Sequence, residues 1–278
     1  MCLSISKLHN PQKTEKIMPT IYAIIIVLMP AIGTLIGSAS SLFMGKEVAQ
    51  RYQNVLLGFA AGVMVAAAVW SLLIPSIEAS ADMGNGAWIP ALVGLWGGIG
   101  FMLLLDVLTP HLHIGEDKPE GVGSSLGRRS MLMLAVVLHN IPEGIAVGVV
   151  VAGVLSGQAL MTTAMAATLS LGIALQNVPE GAIISLPLRA AGCSRWRSFA
   201  YGTLSGIVEP LASVVTIVLI EQILGVFPYM LSAAAGAMLY VVVEELIPES
   251  QRGEHSNLST IGFAVGFGVM MVLDVALG

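Results

Sequence analysis

HNIPEGIAVGVVVAGVLSGQALMTTAMAATLSLGIALQNVPEG, residues 139–181, carries one polar motif at each end and no charge between them. His139-Asn140-Ile141-Pro142-Glu143-Gly144 is matched by Gln176-Asn177-Val178-Pro179-Glu180-Gly181. The uncharged run from Gly144 to Pro179 is too long for one membrane span, and Gly153 with Gly157-Gln158 supplies a turn near its middle. Two apolar helices joined by a short loop fit it best, each carrying one motif. A charge at mid-membrane costs about 2.5 to 3.5 kcal/mol on insertion scales, so a chain that keeps several there uses them for an ion or a proton.

The rest of the chain has the same character. Of 278 residues, 56% are hydrophobic and 10% charged, and the mean hydropathy is +0.87. Such a composition excludes soluble enzymes and leaves an integral membrane protein, with the lipid bilayer as its first partner and no nucleic acid. Runs with few or no charges lie at about 20–43, 53–76, 84–108, 131–153, 159–187, 198–220, 227–249 and 257–277. A spanning helix needs roughly 20 apolar residues, so an all-α fold of eight transmembrane helices is expected. One membrane domain over residues 19–278 follows, with a cytoplasmic loop at about 110–130.

Lys46, Arg51, Lys118, Arg128, Arg129, Arg189, Arg195, Arg197 and Arg252 all fall in the loops after spans 1, 3, 5 and 7. The other inter-helix loops and the C-terminus carry no Lys or Arg, so the positive-inside rule places both termini outside the cytoplasm of a multi-pass cell-membrane protein. Residues 1–18 hold Lys7, Lys13 and Lys16 but no apolar core or cleavage pattern, and read as a flexible extracytoplasmic tail rather than a signal peptide. Cys2 and Cys193 fall on opposite sides of the membrane. Neither a disulfide nor an intramembrane thiolate site is expected.

Span 2 contains Ala61-Gly62-Val63-Met64 and ends in Leu73-Ile74-Pro75, while span 7 contains Ala235-Gly236-Ala237-Met238 and ends in Leu246-Ile247-Pro248. The spacings differ by one residue. The match suggests two equivalent triplets, spans 1–3 and 6–8, flanking the motif-bearing pair. A two-span hairpin between them reverses the second triplet, giving the 3+2+3 inverted repeat of many secondary transporters.

At about 100° per residue, His139, Asn140 and Glu143 point at about 0°, 100° and 40°, sharing one face with Glu143 between the others. Gln176, Asn177 and Glu180 repeat the pattern. A central carboxylate can lend an oxygen to each side, so two facing copies define two adjacent metal positions bridged by Glu143 and Glu180. Pro142 and Pro179 cannot donate to the carbonyls of Leu138 and Leu175, so both helices are expected to kink there and expose oxygen. Glu209-Pro210 in span 6 again sets a carboxylate beside a helix breaker and is placed in the same cavity.

Other polar residues allow two readings. Glu244, Glu245 and Glu249, near the cytoplasmic end of span 7, form either an exit path for cations or a solvated helix end. His111-Leu112-His113 with Glu116 and Asp117 reads as a solvated loop before a metal-sensing one. Asp106 and Asp274 lie near helix ends, where interfacial exposure is expected. Met64 and Met238 are ordinary apolar fillers unless a site adjoins them.

His139-Asn140-x-Pro-Glu143-Gly, Gln176-Asn177-x-Pro-Glu180-Gly, Ser205-Gly206-x-x-Glu209-Pro210 and an eight-span plan with a His-bearing loop after span 3 together resemble the ZIP family of divalent metal transporters. The similarity is greatest to its bacterial GufA-like branch and runs over nearly the whole chain from span 1. It implies uptake of Zn²⁺, and often Fe²⁺, Mn²⁺ or Cd²⁺, into the cytoplasm, with no prosthetic group and no enzymatic activity. The family pattern assigns His139, Glu143, Gln176 and Glu180 to one metal position, with Met64 near it. It assigns Asn140, Glu143, Asn177, Glu180 and Glu209 to the other. Many members have His where Gln176 stands and some have Asp where Asn177 stands, so this site is less basic and less negative than theirs.

Alternating access is the expected mechanism, and Zn²⁺, Fe²⁺ and Mn²⁺ suit imidazole, carboxylate and amide oxygen. An intramembrane metalloenzyme lacks its His-Glu-x-x-His pair. A passive channel has the same carboxylates, and saturation separates it from a carrier. A proton-coupled carrier of an organic anion lacks an intramembrane Lys or Arg. Small residues in spans 2, 5 and 7 permit close packing within one protomer or in a homodimer.

Overall fold

A computed structural model describes residues 18, 20–43, 50–111, 121–123, 128–190, 192–220, 224–253 and 256–278. Nearly all of the expected tail and most of the 110–130 loop, with His113, Glu116 and Asp117, lie outside the described residues. Every regular element among those described is helical. Eight helices are long and apolar enough to cross a membrane: α1 (Thr20–Phe43), α2 (Tyr52–Glu78), α3 (Trp88–Leu108), α4 (Val137–Leu155), α5 (Thr163–Ala190), α6 (Arg195–Leu219), α7 (Phe227–Ser250) and α8 (Leu258–Leu277). These bounds follow the hydropathy runs to within a few residues. The turn expected between the twin motifs falls at Gly157, whose φ of +69° favours glycine.

Burial ranks the helices. Of the most apolar window, 72% is buried in α4 and 67% in α5, against 22% in α3 and 17% in α8. The motif-bearing pair is therefore interior, and α3 and α8 face lipid.

The closest packing pairs are α2 with α8, α1 with α5, α3 with α7 and α4 with α6. Glycine sets these approaches. A Cβ on Gly33 or Gly37 would collide with the α5 backbone, on Gly144 or Gly148 with that of α6, on Gly58 or Gly62 with that of α8, and on Gly94 or Gly98 with that of α7. Small residues let helices approach backbone to backbone where lipid offers no hydrophobic drive for association. Two groups result. α1, α4, α5 and α6 pack mainly on one another, as do α2, α3, α7 and α8, with α2 on α5 and α4 on α7 as the main links between them. Where a helical glycine meets a neighbour across that border, it meets side chains: Gly153 of α4 abuts Phe227, and Gly172 of α5 abuts Met270.

Helix breaks are repaired locally. Pro30 cannot donate to the Ile26 carbonyl, and the Ser170 hydroxyl of α5 donates to it instead at 2.5 Å. α2 and α7 each widen into a π-helical stretch, Ala68–Leu73 and Val242–Leu246, and each stretch leads into Ile-Pro. The first is six residues long and the second five. The one-residue difference in spacing between the α2 and α7 sequences is thus taken up in the π-helical stretch.

Candidate metal site

Glu143, fully buried in α4, accepts a 2.5 Å hydrogen bond from Gln176 Nε2 of α5. Asn177, the next residue of α5, donates through Nδ2 to Glu209 Oε2 of α6 at 2.7 Å and to the Pro30 carbonyl of α1 at 3.2 Å. Thr34 of α1 donates to the other oxygen of Glu209 at 3.2 Å. Asn140 donates to the Ser205 carbonyl at 2.9 Å, where α6 is interrupted ahead of Glu209-Pro210. Four helices of one group thus meet in one buried polar chain.

The three residues on the α4 face are shared among three neighbours. Glu143 goes to α5 and Asn140 to α6, while His139 Nε2 pairs with Glu245 Oε2 of α7. Glu180 is partly buried and lies within electrostatic reach of Glu143, Glu209, Glu245 and Glu249. Glu245 is buried, Glu249 half-buried and Glu244 exposed. Met64 is packed in the apolar core.

Glu143 Oε2, Gln176 Oε1 and Asn177 Oδ1 are buried and receive no hydrogen bond from the described residues. All three are acceptors, and a buried acceptor without a donor is costly unless a cation or another donor meets it. Among the described residues no three of His, Cys, Asp and Glu stand close enough to hold a metal ion as a group. The amide N–H groups of Gln176 and Asn177 face the carboxylates, so ligation of a cation would require each amide to turn its oxygen inward.

The ZIP zinc-transporter family model matches residues 109–274, more than half of the chain. The chain belongs to the ZIP family. Zinc transporter ZIP11 of Homo sapiens is 37% identical to this ZIP chain over 88% of it and 94% of the relative. Zinc transporter ZIPB of Bordetella bronchiseptica is 36% identical over 88% and 78% of the two chains. Zinc transporter GufA of Myxococcus xanthus is 32% identical over 88% and 96%. The family is one of transporters rather than enzymes.

Three features of this ZIP protein escape its motifs. Thr34 and the Pro30 carbonyl join the site from α1, which carries no polar motif. His111, expected in a solvated loop, is instead fully buried, its Nδ1 2.8 Å from the Thr109 carbonyl and its Nε2 3.0 Å from Asp106 Oδ1. Asp274 is likewise engaged, accepting a 2.6 Å hydrogen bond from Ser71 in the π-helical stretch of α2. The two aspartates occupy matching places: Gly94, Gly98, Met102 and Asp106 of α3 recur as Gly262, Gly266, Met270 and Asp274 of α8. That spacing was the available signal for pairing α3 with α8.

Proposed function

We propose that this ZIP chain carries Zn²⁺, and with it Fe²⁺, Mn²⁺ or Cd²⁺, into the cytoplasm by alternating access, with both termini extracytoplasmic. The relatives named zinc transporters support the substrate. The observation that carries the site is the trio of buried acceptor oxygens on Glu143, Gln176 and Asn177 that no donor among the described residues meets. Glu143 and Glu180 bridge two metal positions, one completed by His139 and Gln176, the other by Asn140, Asn177 and Glu209. Met64 lies near the first. Three intramembrane carboxylates, Glu143 and Glu209 buried and Glu180 partly so, offset most of the charge of two divalent ions, an arrangement too repulsive to keep for packing alone. Glu245, then Glu249 and Glu244, lead onward from His139 toward solvent.

The 3+2+3 inverted repeat belongs to the same reading. Exchanging α1 with α6, α2 with α7, α3 with α8 and α4 with α5 turns the α2–α8 pair into α7–α3, α1–α5 into α6–α4 and α2–α5 into α7–α4, and each resulting pair is a packed one. Movement of the α1, α4, α5, α6 group, which holds nearly all of the site, against the other four helices would expose the cation to each side in turn.

Uptake of Zn²⁺, Fe²⁺, Mn²⁺ and Cd²⁺ into liposomes holding purified protein tests this reading. Saturable uptake that Glu143→Ala abolishes is expected. Absence of movement of any of the four ions in well-folded protein rejects transport, and uptake linear in concentration favours a channel.

A further inference from the structure

On the border between the two helix groups, α3, α4, α6 and α7 enclose a cavity of about 560 Å³. Its walls are Gly97 and Phe101 of α3, Ile141 and Ile145 of α4, residues between Val208 and Leu219 of α6, and Met230 to Ala237 of α7. Thr216 is the one polar side chain in the lining, and its hydroxyl is already given to the Ala212 carbonyl of its own helix at 2.7 Å. The lining therefore offers a ligand no free side-chain donor and no charge.

We propose that this groove holds one acyl chain of a bilayer phospholipid. Chemistry selects hydrocarbon, and placement supplies it. Phe101, Leu211, Val215 and Leu219 line the groove while remaining exposed on the lipid-facing side, so it opens sideways into the bilayer rather than toward water. Length agrees as well. Val208 and Leu219 lie about 16 Å apart along α6, close to half of the roughly 30 Å hydrocarbon thickness and so to the depth of one leaflet. A hydrocarbon chain, roughly 4 Å across by carbon contact distances, goes in with room to spare.

The position gives the lipid a consequence that rests on the proposed transport. Ile141 and Ile145 flank Pro142-Glu143, and Val208 precedes Glu209, so a lodged chain lies against the backs of two site-bearing segments. It also wedges α4 and α6 away from α3. On the opposite side α8 closes on α5 through Met270 and Gly172. Any approach of the two groups along the open border must expel or shift the lipid.

The test is photolabelling of the full chain in phosphatidylcholine liposomes doped with a phosphatidylcholine that carries a diazirine within one acyl chain, followed by mapping of adducts by mass spectrometry. At Phe101, Leu211 and Met230 adducts are expected at least threefold above those at Val93, Val265 and Val272, which face lipid outside the groove. A Cβ on Gly97 meets nothing within 4 Å, so Gly97→Phe fills the groove without displacing backbone and brings the enrichment to background. Gly268→Phe, equally unobstructed on α8, leaves it intact. Gly97→Leu serves if the larger side chain impairs folding. Uniform labelling, enrichment indifferent to the Gly97 substitutions, or cross-links between two copies in place of lipid adducts would each overturn the proposal. Labelling needs no metal movement, so a failure of uptake would count against the transport reading and not against this one.

Discussion

Thr34 is the residue of the site that no motif announces. Its hydroxyl reaches Glu209 because Gly206 of α6 and Gly181 of α5 place no side chain in the way, and a Cβ on either would collide with Thr34. Thr34→Val keeps the volume and removes the donor. A hydrogen bond of this kind is worth about 1 kcal/mol, so the half-saturating zinc concentration for uptake into liposomes is expected to rise about fivefold, with Thr34→Ser close to wild type. An unchanged concentration in the Val variant would remove Thr34 from the site. The twin motif itself was legible at this scale, since Pro, Glu and Asn within apolar runs have few structural uses. The partners were not. A helical wheel puts His139, Asn140 and Glu143 on one face, but that face borders three helices, and each residue answers to a different one.

Among the elements, α1 shows how a break is tolerated in lipid. The carbonyl that Pro30 leaves without its helical donor is met by Ser170, and in Ser170→Ala it loses that donor within hydrocarbon. A loss of about 1 to 3 kcal/mol in stability is expected, read as a lower unfolding temperature in detergent, with uptake per folded molecule unchanged. A variant as stable as wild type would show that another donor replaces the serine. The number and limits of the helices were readable from hydropathy because a bilayer enforces length. The likeness of the α2 and α7 sequences was visible despite a one-residue mismatch, which matches the longer π-helical stretch of α2. For α3 and α8, which the two triplets would make equivalent, the shared spacing is harder to read, since glycines, a methionine and an aspartate in apolar helices gain meaning only once Gly94 is seen against α7 and Gly262 against α2.

The whole molecule divides into two bodies, a property that sequence periodicity does not carry, because hydropathy orders helices along the chain and not side by side. Gly172 of α5 and Met270 of α8 touch across the border. In a background with Cys2 and Cys193 changed to Ser, Gly172→Cys with Met270→Cys is expected to stop zinc uptake when oxidised and to recover it on reduction, while zinc binding persists in both states. Undiminished uptake by the oxidised protein would mean that the two bodies do not move apart there. The placement of glycine has a further effect on how such a protein changes over generations. At Gly33, Gly58, Gly98 and Gly144, inside the two bodies, a single added methyl meets another helix's backbone, so those positions are closed to drift. Along the border a methionine or a phenylalanine makes the contact, and one apolar side chain can replace another without unseating the fold. Variation in speed can therefore accumulate at the border while the architecture on either side is held constant.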